Sequence, residues 1–275
     1  MRGARGSDAA SSSDAASPSL AALRGDDRAV SETVSFILVF ALVVASVGTV
    51  YAVGVSELEQ TRDAERVENA ERAFDVLADN LRDVLDGAPS RGTEVKLADA
   101  TIRSADDARM NVTVEPDGAS EEWWNFSLRP LVYEAAAGGE VRLSSGAVLR
   151  DSPDGGASVV RGPPLIVDGD DGVRLTLVKS EHVGTEAVGG SQTVRVRTAA
   201  SRPRLFYDRE GGHDVTVNLT TPYTDAWERQ YESAGFDDCT EVREPTPDSS
   251  GKLSCRISDV DRVTVVWVRI TTSFE

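Results

Sequence analysis

Few side chains in this sequence are of the types that most often do chemistry: the 275 residues include two cysteines and two histidines. Cys239 and Cys255 enclose a segment rich in Pro, Asp, Ser and Gly. In an oxidising compartment a disulfide there would remove loop entropy worth roughly 3 kcal/mol; the alternative is two unpaired thiols. His182 and His213 lie far apart on loop-like sequence, without a metal-binding motif near either. We predict satisfied surface histidines and no metal site.

Three Asn-x-Ser/Thr triplets begin at Asn111, Asn125 and Asn218. This triplet is the acceptor for N-linked glycosylation and marks the surface of secreted proteins. No such triplet precedes Asn111. We therefore predict a glycan on at least one of these asparagines and a location outside the cell for the region that carries them.

Two further segments have alternative readings. The acidic run Asp168-Gly-Asp-Asp171 could hold Ca²⁺ through its carboxylates or form a solvated turn, and its spacing is not that of an EF-hand. Trp123 and Trp124 could form a surface-binding patch, or one could be buried and the other exposed. The sequence lacks a nucleophile elbow, a P-loop and a dinucleotide fingerprint. We predict a protein that is not an enzyme and needs no cofactor.

The charge balance is strongly acidic, with 46 Asp and Glu against 29 Lys and Arg and a net charge of −17. Nucleic-acid binding needs a basic surface, so nucleic acid is not an expected partner. Lys96, Lys179 and Lys252 are the only lysines, and the other basic residues are arginines. An acidic, lysine-poor composition suits a protein that stays hydrated in concentrated salt, which favours a halophilic source.

One long apolar run dominates the N-terminal part. Residues 34–55 form a charge-free stretch of 22 residues, which as a helix spans about 33 Å, enough for a bilayer core of about 30 Å. It is longer than the roughly 7–15 apolar residues of a secretory signal. We predict a disordered leader over residues 1–29, rich in Ala, Ser, Asp and Gly, and a retained transmembrane helix over 30–56. Arginines flank the run on both sides, so charge alone does not orient it.

A helical pattern continues beyond the apolar run, so one helix is expected over residues 31–86. Its apolar stripe recurs at steps of three and four residues. The stripe comprises Val67, Ala70, Phe74, Leu77, Leu81 and Val84. Gly87 and Pro89 should end the helix. Residues 57–87 are thus predicted to be an amphipathic helix packed on its own domain.

From residue 93 to residue 275 the apolar period changes to two, as in residues 173–178, 215–219 and 263–270. This alternation predicts an antiparallel β-rich head. A short helix should interrupt it near residues 225–234, with Asp225 as the N-cap and Gly235 as the stop. The predicted class is α+β: a long N-terminal helix followed by a β-rich head.

The junction Arg28-Ala29-Val30-Ser31-Glu32-Thr33, which runs directly into the apolar helix, resembles the start of haloarchaeal type IV pilins. The resemblance covers about residues 24–56 closely, and the head only in kind. It implies a class III signal peptide, with Arg28, Ala29 and Val30 as the processing site and cleavage between Ala29 and Val30 by a prepilin peptidase. The released helix would then bundle with those of other pilin subunits in a filament core.

The resemblance implies a pilin-like fold and a minor pilin of an archaeal type IV pilus-like system, for adhesion or surface assembly. It would be a single-pass membrane protein with an extracellular C-terminal head, or part of a surface filament after processing. The alternative is an uncleaved, membrane-anchored extracellular binding protein or glycoprotein of a halophile.

Overall fold

The computed structural model describes residues 23–151, 156–167, 172–242 and 250–275, with side chains from residue 31 onward. The chain divides into two compact units, Met1–Gln60 and Thr61–Glu275. The predicted leader over residues 1–29 lies outside the described residues as far as residue 22, and helix α1 (Leu23–Leu85) begins eight residues before the predicted start at Ser31. The predicted order, a long N-terminal helix and then an antiparallel β region, is confirmed.

In the second unit, the last turns of α1 pack one face onto the β region. All six residues of the predicted stripe are buried there, with Ala78 beside them, so this prediction is confirmed. The ring of Phe74 meets that of Tyr133 edge-on, with 6.4 Å between the centroids. The helix ends at Leu85, and Gly87 has a φ of +111°, a backbone conformation that favours glycine.

In the described residues, fifteen strands and one short helix, α2 (Thr224–Ser233), follow α1. The strands are β1 (Arg91–Lys96), β2 (Ala100–Ser104), β3 (Arg109–Pro116), β4 (Glu122–Ser127), β5 (Leu131–Ala135), β6 (Glu140–Ser144), β7 (Ala147–Asp151), β8 (Ala157–Arg161), β9 (Leu165–Val167), β10 (Val173–His182), β11 (Ala187–Gly190), β12 (Thr193–Ala200), β13 (Arg204–Thr221), β14 (Asp238–Val242) and β15 (Gly251–Phe274). Their alternating apolar side chains point to buried faces, as the period of two predicts.

The strands form two sheets. In the larger, nine-stranded sheet the main path runs β1-β12-β15-β13-β3-β4, and β9, β10 and β14 branch from it through β15. The smaller, six-stranded sheet has the order β11-β2-β5-β6-β7-β8. Pairing is antiparallel except between β10 and β15, which run parallel from Val173 beside Val263 to His182 beside Thr272. In this pair β15 carries buried apolar side chains on both faces, whereas β10 alternates apolar and polar residues from Val173 to Leu177.

Strand β15 separates two hydrophobic cores. Val263, Val265 and Trp267 pack into the first core, which also contains α2 and the inner faces of β3, β4 and β13. Val266 and Val268 point the other way into the second core, which contains the α1 stripe and residues of β1, β2, β5 and β12. The two faces of β15 therefore each contribute side chains to a different core.

Arginines from the smaller sheet also hold the C-terminal part of α1. Arg161 on β8 forms ion pairs with Asp75 and Asp79 at 2.5 and 2.7 Å, and Arg150 on β7 pairs with Glu71 at 2.7 Å. The hydrogen bond from Arg161 lowers the pKa of the Asp75 carboxyl, although desolvation opposes the shift. These pairs are partly exposed, so each contributes modestly beside the buried stripe.

The short helix differs from its prediction at the N-terminus. The N-cap residue of α2 is Tyr223, without a side-chain cap, whereas Asp225 lies in the first turn. There the Asp225 carboxylate accepts a hydrogen bond from the backbone N–H of Ala157 and pairs with Arg229 at 3.3 Å. Asp225 is engaged by neighbouring structure, so the predicted N-cap is wrong. Gly235 follows the helix with a φ of +98°, in agreement with its predicted role as the stop.

Replacing Phe74 tests the packing of the helix. In a chain shortened to residues 56–275, Phe74→Ala should reduce the free energy of unfolding by about 3–5 kcal/mol, because Phe74 is 0% exposed and its removal leaves a cavity. Val76→Ala is the matched control, since Val76 lies on the same helix and is 51% exposed. Chemical denaturation of both variants measures the difference; equal stabilities would mean that the stripe is not packed on the β region.

Candidate functional site

The apolar part of α1 in the first unit presents its side chains to the outside on every face. The large apolar residues of this stretch are all exposed: Val34, Phe36, Ile37, Leu38, Val39, Phe40, Leu42, Val43, Val44, Val47, Val50, Tyr51, Val53 and Val55. By length and composition the helix between Ser31 and Leu85 could cross a membrane once. An apolar surface of this extent marks a site of contact with lipid or protein.

Two hydroxyl groups in that stretch form hydrogen bonds within the helix. Ser46 donates to the carbonyl of Val43 at 2.8 Å, and Thr49 donates to that of Ala45 at 2.9 Å. A hydrocarbon environment offers no hydrogen-bond partners, so internal bonds of this kind make the helix compatible with lipid.

The predicted processing residues, Arg28, Ala29 and Val30, lie within the first turns of α1. The described backbone is helical at all three positions, whereas a protease normally binds its substrate in an extended form. The sequence resemblance therefore predicts cleavage at this junction, whereas its helical backbone is not the form in which a protease normally binds its substrate.

The three predicted glycosylation residues lie together on the larger sheet. Asn125 on β4 is directly opposite Asn111 on β3, and Asn111 is directly opposite Asn218 on β13. Asn125 and Asn218 are exposed, and Asn111 is half-buried. The sequence presented three separated triplets; the strand register brings them into one row, which we call the asparagine row.

The face around the asparagine row is polar and continues across five strands. Beyond Asn218 the row is extended by Ser254 on β15 and Thr240 on β14. Arg109, Thr220 and Lys252 flank it on one side and help to line a shallow surface depression with the asparagines. The opposite faces of these strands point into the first core, which fixes the outward direction of the row.

Cys239 and Cys255 are joined by a disulfide in the structure, with a sulfur–sulfur distance of 2.04 Å. They are directly opposite each other on β14 and β15, so both cysteines lie in strands. The bond ties the edge strand β14 to β15 beside the end of the asparagine row.

Both histidines occupy strands rather than the predicted loops. His182 ends β10, contacts the ring of Phe274 with 4.4 Å between centroids, and shares a hydrogen bond with the carbonyl of Thr185 at 2.6 Å. His213 lies in β13 and is buried, with its Nδ1 atom 2.5 Å from the carbonyl oxygen of Gly211. The prediction of a surface histidine is wrong for His213, because the bulged pairing of β13 with β15 turns its ring inward against Tyr207.

The two tryptophans face opposite sides of β4. Trp123 is 62% exposed on the face of the asparagine row, whereas Trp124 stacks on Phe206 and meets Tyr207 edge-on. Phe206 also contacts Trp267, and the guanidinium of Arg204 lies over the Trp267 ring at 5.6 Å. One exposed and one largely packed tryptophan is the arrangement expected for an edge strand.

A buried ionic group that the sequence did not reveal centres on Arg142 of β6. Its side chain is 3% exposed and bonds to Asp107 at 2.7 Å and to Glu140 at 2.9 Å. The hydroxyl of Tyr223 donates to the same Glu140 carboxylate at 2.9 Å, and the guanidinium lies over the Tyr223 ring. Burial lowers the pKa of Arg142, but the bonds and charges of the two carboxylates outweigh it and raise the pKa.

No group of three or more His, Cys, Asp or Glu residues is arranged to hold a metal ion within the described part of the chain. The acidic run Asp168-Gly-Asp-Asp171 lies outside the described residues.

Comparison with known proteins identifies a family. The model of a family of unknown function, DUF7289, matches residues 28–273, and the chain belongs to this family. The match includes both the apolar helix and the β region. No curated protein and no solved structure matches the chain.

Removing the buried arginine should be costly. Arg142→Met should destabilise residues 56–275 by about 3–5 kcal/mol, because Asp107 and Glu140 would keep partly buried charges without their partner. Arg103→Met is the matched control. Arg103 pairs with Glu134 at 3.5 Å and is 36% exposed, so its loss should cost at most about 1 kcal/mol. Urea titration measures both, and a small effect at Arg142 would show that its carboxylate partners are solvated.

Proposed function

We propose that this DUF7289 member is a non-enzymatic cell-surface protein, a pilin-like subunit that a prepilin peptidase processes and that assembles with other pilin subunits. The proposal is based on the exposed apolar surface of α1 over residues 34–55 in a chain that also folds an extensive β-rich part over residues 91–275, which we call the β unit. Such a surface needs a partner, since each large apolar side chain gains about 1.5–3 kcal/mol on burial.

Two environments can cover this surface at successive stages. A bilayer covers it first, because the backbone groups of a helix bond to one another and the Ser46 and Thr49 hydroxyls bond to carbonyls of the same helix. After release from the bilayer, copies of the same helix cover it, and the small residues Ala41, Ala45 and Gly48 allow close approach. This succession is what a type IV pilin requires of its N-terminal helix.

The sequence junction supports the processing step. Arg28-Ala29-Val30-Ser31 precedes the apolar helix as in haloarchaeal pilins, which makes Val30 the first residue of the mature subunit. The family match begins at Arg28, so it includes this junction.

The second candidate is an uncleaved, single-pass anchor that presents the β unit as a binding protein. The helical backbone at Arg28, Ala29 and Val30 favours it, because a helical junction must unwind before a peptidase can cut it. Both candidates place the β unit at the surface of a cell that lives in concentrated salt, in keeping with the net charge of −17.

The mature N-terminus separates the two candidates. We expect mass spectrometry of the protein from membranes and from sheared surface material to give Val30 as the first residue, because cleavage releases the helix for assembly. Ala29→Leu should block cleavage, whereas Ala41→Leu, within the apolar run, should leave it unchanged. A wild-type protein that retains its leader in both fractions would favour the uncleaved anchor.

The location of the β unit is tested on intact cells. Added protease should remove the β unit while cytoplasmic marker proteins survive, because we propose that the apolar part of α1 crosses the bilayer and that the β unit lies outside. A β unit that resists digestion until the cells are lysed would reverse the proposed orientation.

A further inference from the structure

All the asparagines of the β unit stand in one place. The chain has five asparagines; Asn69 and Asn80 lie in α1, and the others form the asparagine row. Asparagine is depleted in β-strands, and yet three neighbouring strands carry it at directly opposed positions. Neither strand propensity nor core packing explains this placement, since all three side chains point away from the core.

Each asparagine also has its sequon hydroxyl on the same face. Side chains two residues apart on a strand point in the same direction, so Thr113, Ser127 and Thr220 stand outward beside their asparagines. At the central position the Thr113 hydroxyl donates to the Asn111 side-chain oxygen at 3.2 Å. The three acceptor triplets therefore lie side by side on one face of the sheet, and the central triplet runs antiparallel to its two neighbours.

We propose that the glycosylation sites of the asparagine row are coupled, in that a glycan on one asparagine excludes a glycan on its cross-strand neighbour. The proposal rests on the extracellular location of the β unit. In the transfer, the anomeric carbon of a lipid-phosphate-linked sugar forms a bond to the asparagine amide nitrogen. Its bond to the phosphate oxygen breaks, the amide loses one proton, and the lipid phosphate leaves.

The exclusion follows from the spacing of the strands. Directly opposed Cβ atoms on neighbouring strands are only about 4.5–5.5 Å apart, and a pyranose ring with its hydroxyl groups is wider than this. Asn111 has a sequon asparagine on each side, so a glycan there excludes both of the others. Asn125 and Asn218 are separated by two strand spacings, about 10 Å, and do not exclude each other.

The structure also selects the preferred acceptor. Asn125 lies on β4, the end strand of the main path of the sheet, and is exposed. Asn111 is half-buried between two strands, and its amide oxygen is engaged by Thr113. Asn125 should therefore carry the glycan in most molecules, and Asn111 in the fewest.

A single tryptic peptide shows directly whether glycans on Asn111 and Asn125 exclude each other. Asn111 and Asn125 lie between Arg109 and Arg129 with no Lys or Arg between them, so trypsin leaves both on a single peptide. In folded protein from cells that naturally make it, we expect this peptide with one glycan or none, and never with two. Detection of the peptide with glycans on both Asn111 and Asn125 would overturn the proposal.

Variants distinguish exclusion between neighbouring glycans from a simple preference for glycosylation at Asn125. Asn125→Gln should raise the glycan occupancy of Asn111 several-fold, because the neighbouring glycan is gone. Ser127→Ala should do the same while keeping the Asn125 amide. Ser254→Ala, in the same row but outside any sequon, is the control and should leave all occupancies unchanged.

An unchanged Asn111 occupancy in Asn125→Gln would overturn the proposal, as would the absence of any glycan from all three asparagines in the wild-type protein. Protease treatment of intact cells still reports the location of the β unit in the latter case. Failure of this inference is therefore distinguishable from failure of the proposed function.

Discussion

The β unit depends on one strand that is buried on both faces. From Val263 to Ile270, β15 sends alternate apolar side chains into two different cores, so its inner residues meet almost no water. Around this strand the pairing with β10, β12, β13 and β14 builds the larger sheet. The first core covers one face of the strand, and the α1 stripe and the smaller sheet cover the other. Loss of either cover would expose an apolar face of the central strand.

Much of this architecture could be predicted from the sequence because the signals are local. The stripe on α1 and the strands with alternating apolar residues depend on spacing within about ten residues, and the structure contains them. The parallel pairing of β10 with β15 and the burial of His213 could not be predicted, because both are set by residues distant in the chain. Arg142 was missed for the same reason: its carboxylate partner Asp107 is 35 residues away.

The candidate glycosylation residues show the same division between local and non-local information. Each sequon is a local motif, and its asparagine and hydroxyl share a face simply because the strand period is two. An outward-facing polar strand therefore produces such triplets more readily than a random sequence does, and their number alone is weak support for three glycans. The register, which no local pattern contains, places Asn111 between two other candidate acceptors and makes its occupancy depend on theirs.

The proposed saline environment constrains which interactions can hold the protein together. At about 1 M salt the Debye length falls to about 3 Å, so exposed ion pairs such as those of Asp79 contribute little. Burial of Phe74 and of the β15 side chains is not screened by salt, and the desolvated Arg142 group is screened much less than a surface pair. Arginine suits that group because its planar guanidinium can bond to two carboxylates while it lies over the ring of Tyr223. The acidic surface then keeps the protein hydrated. The fold is stabilised by the two hydrophobic cores and by the few charged groups buried with them.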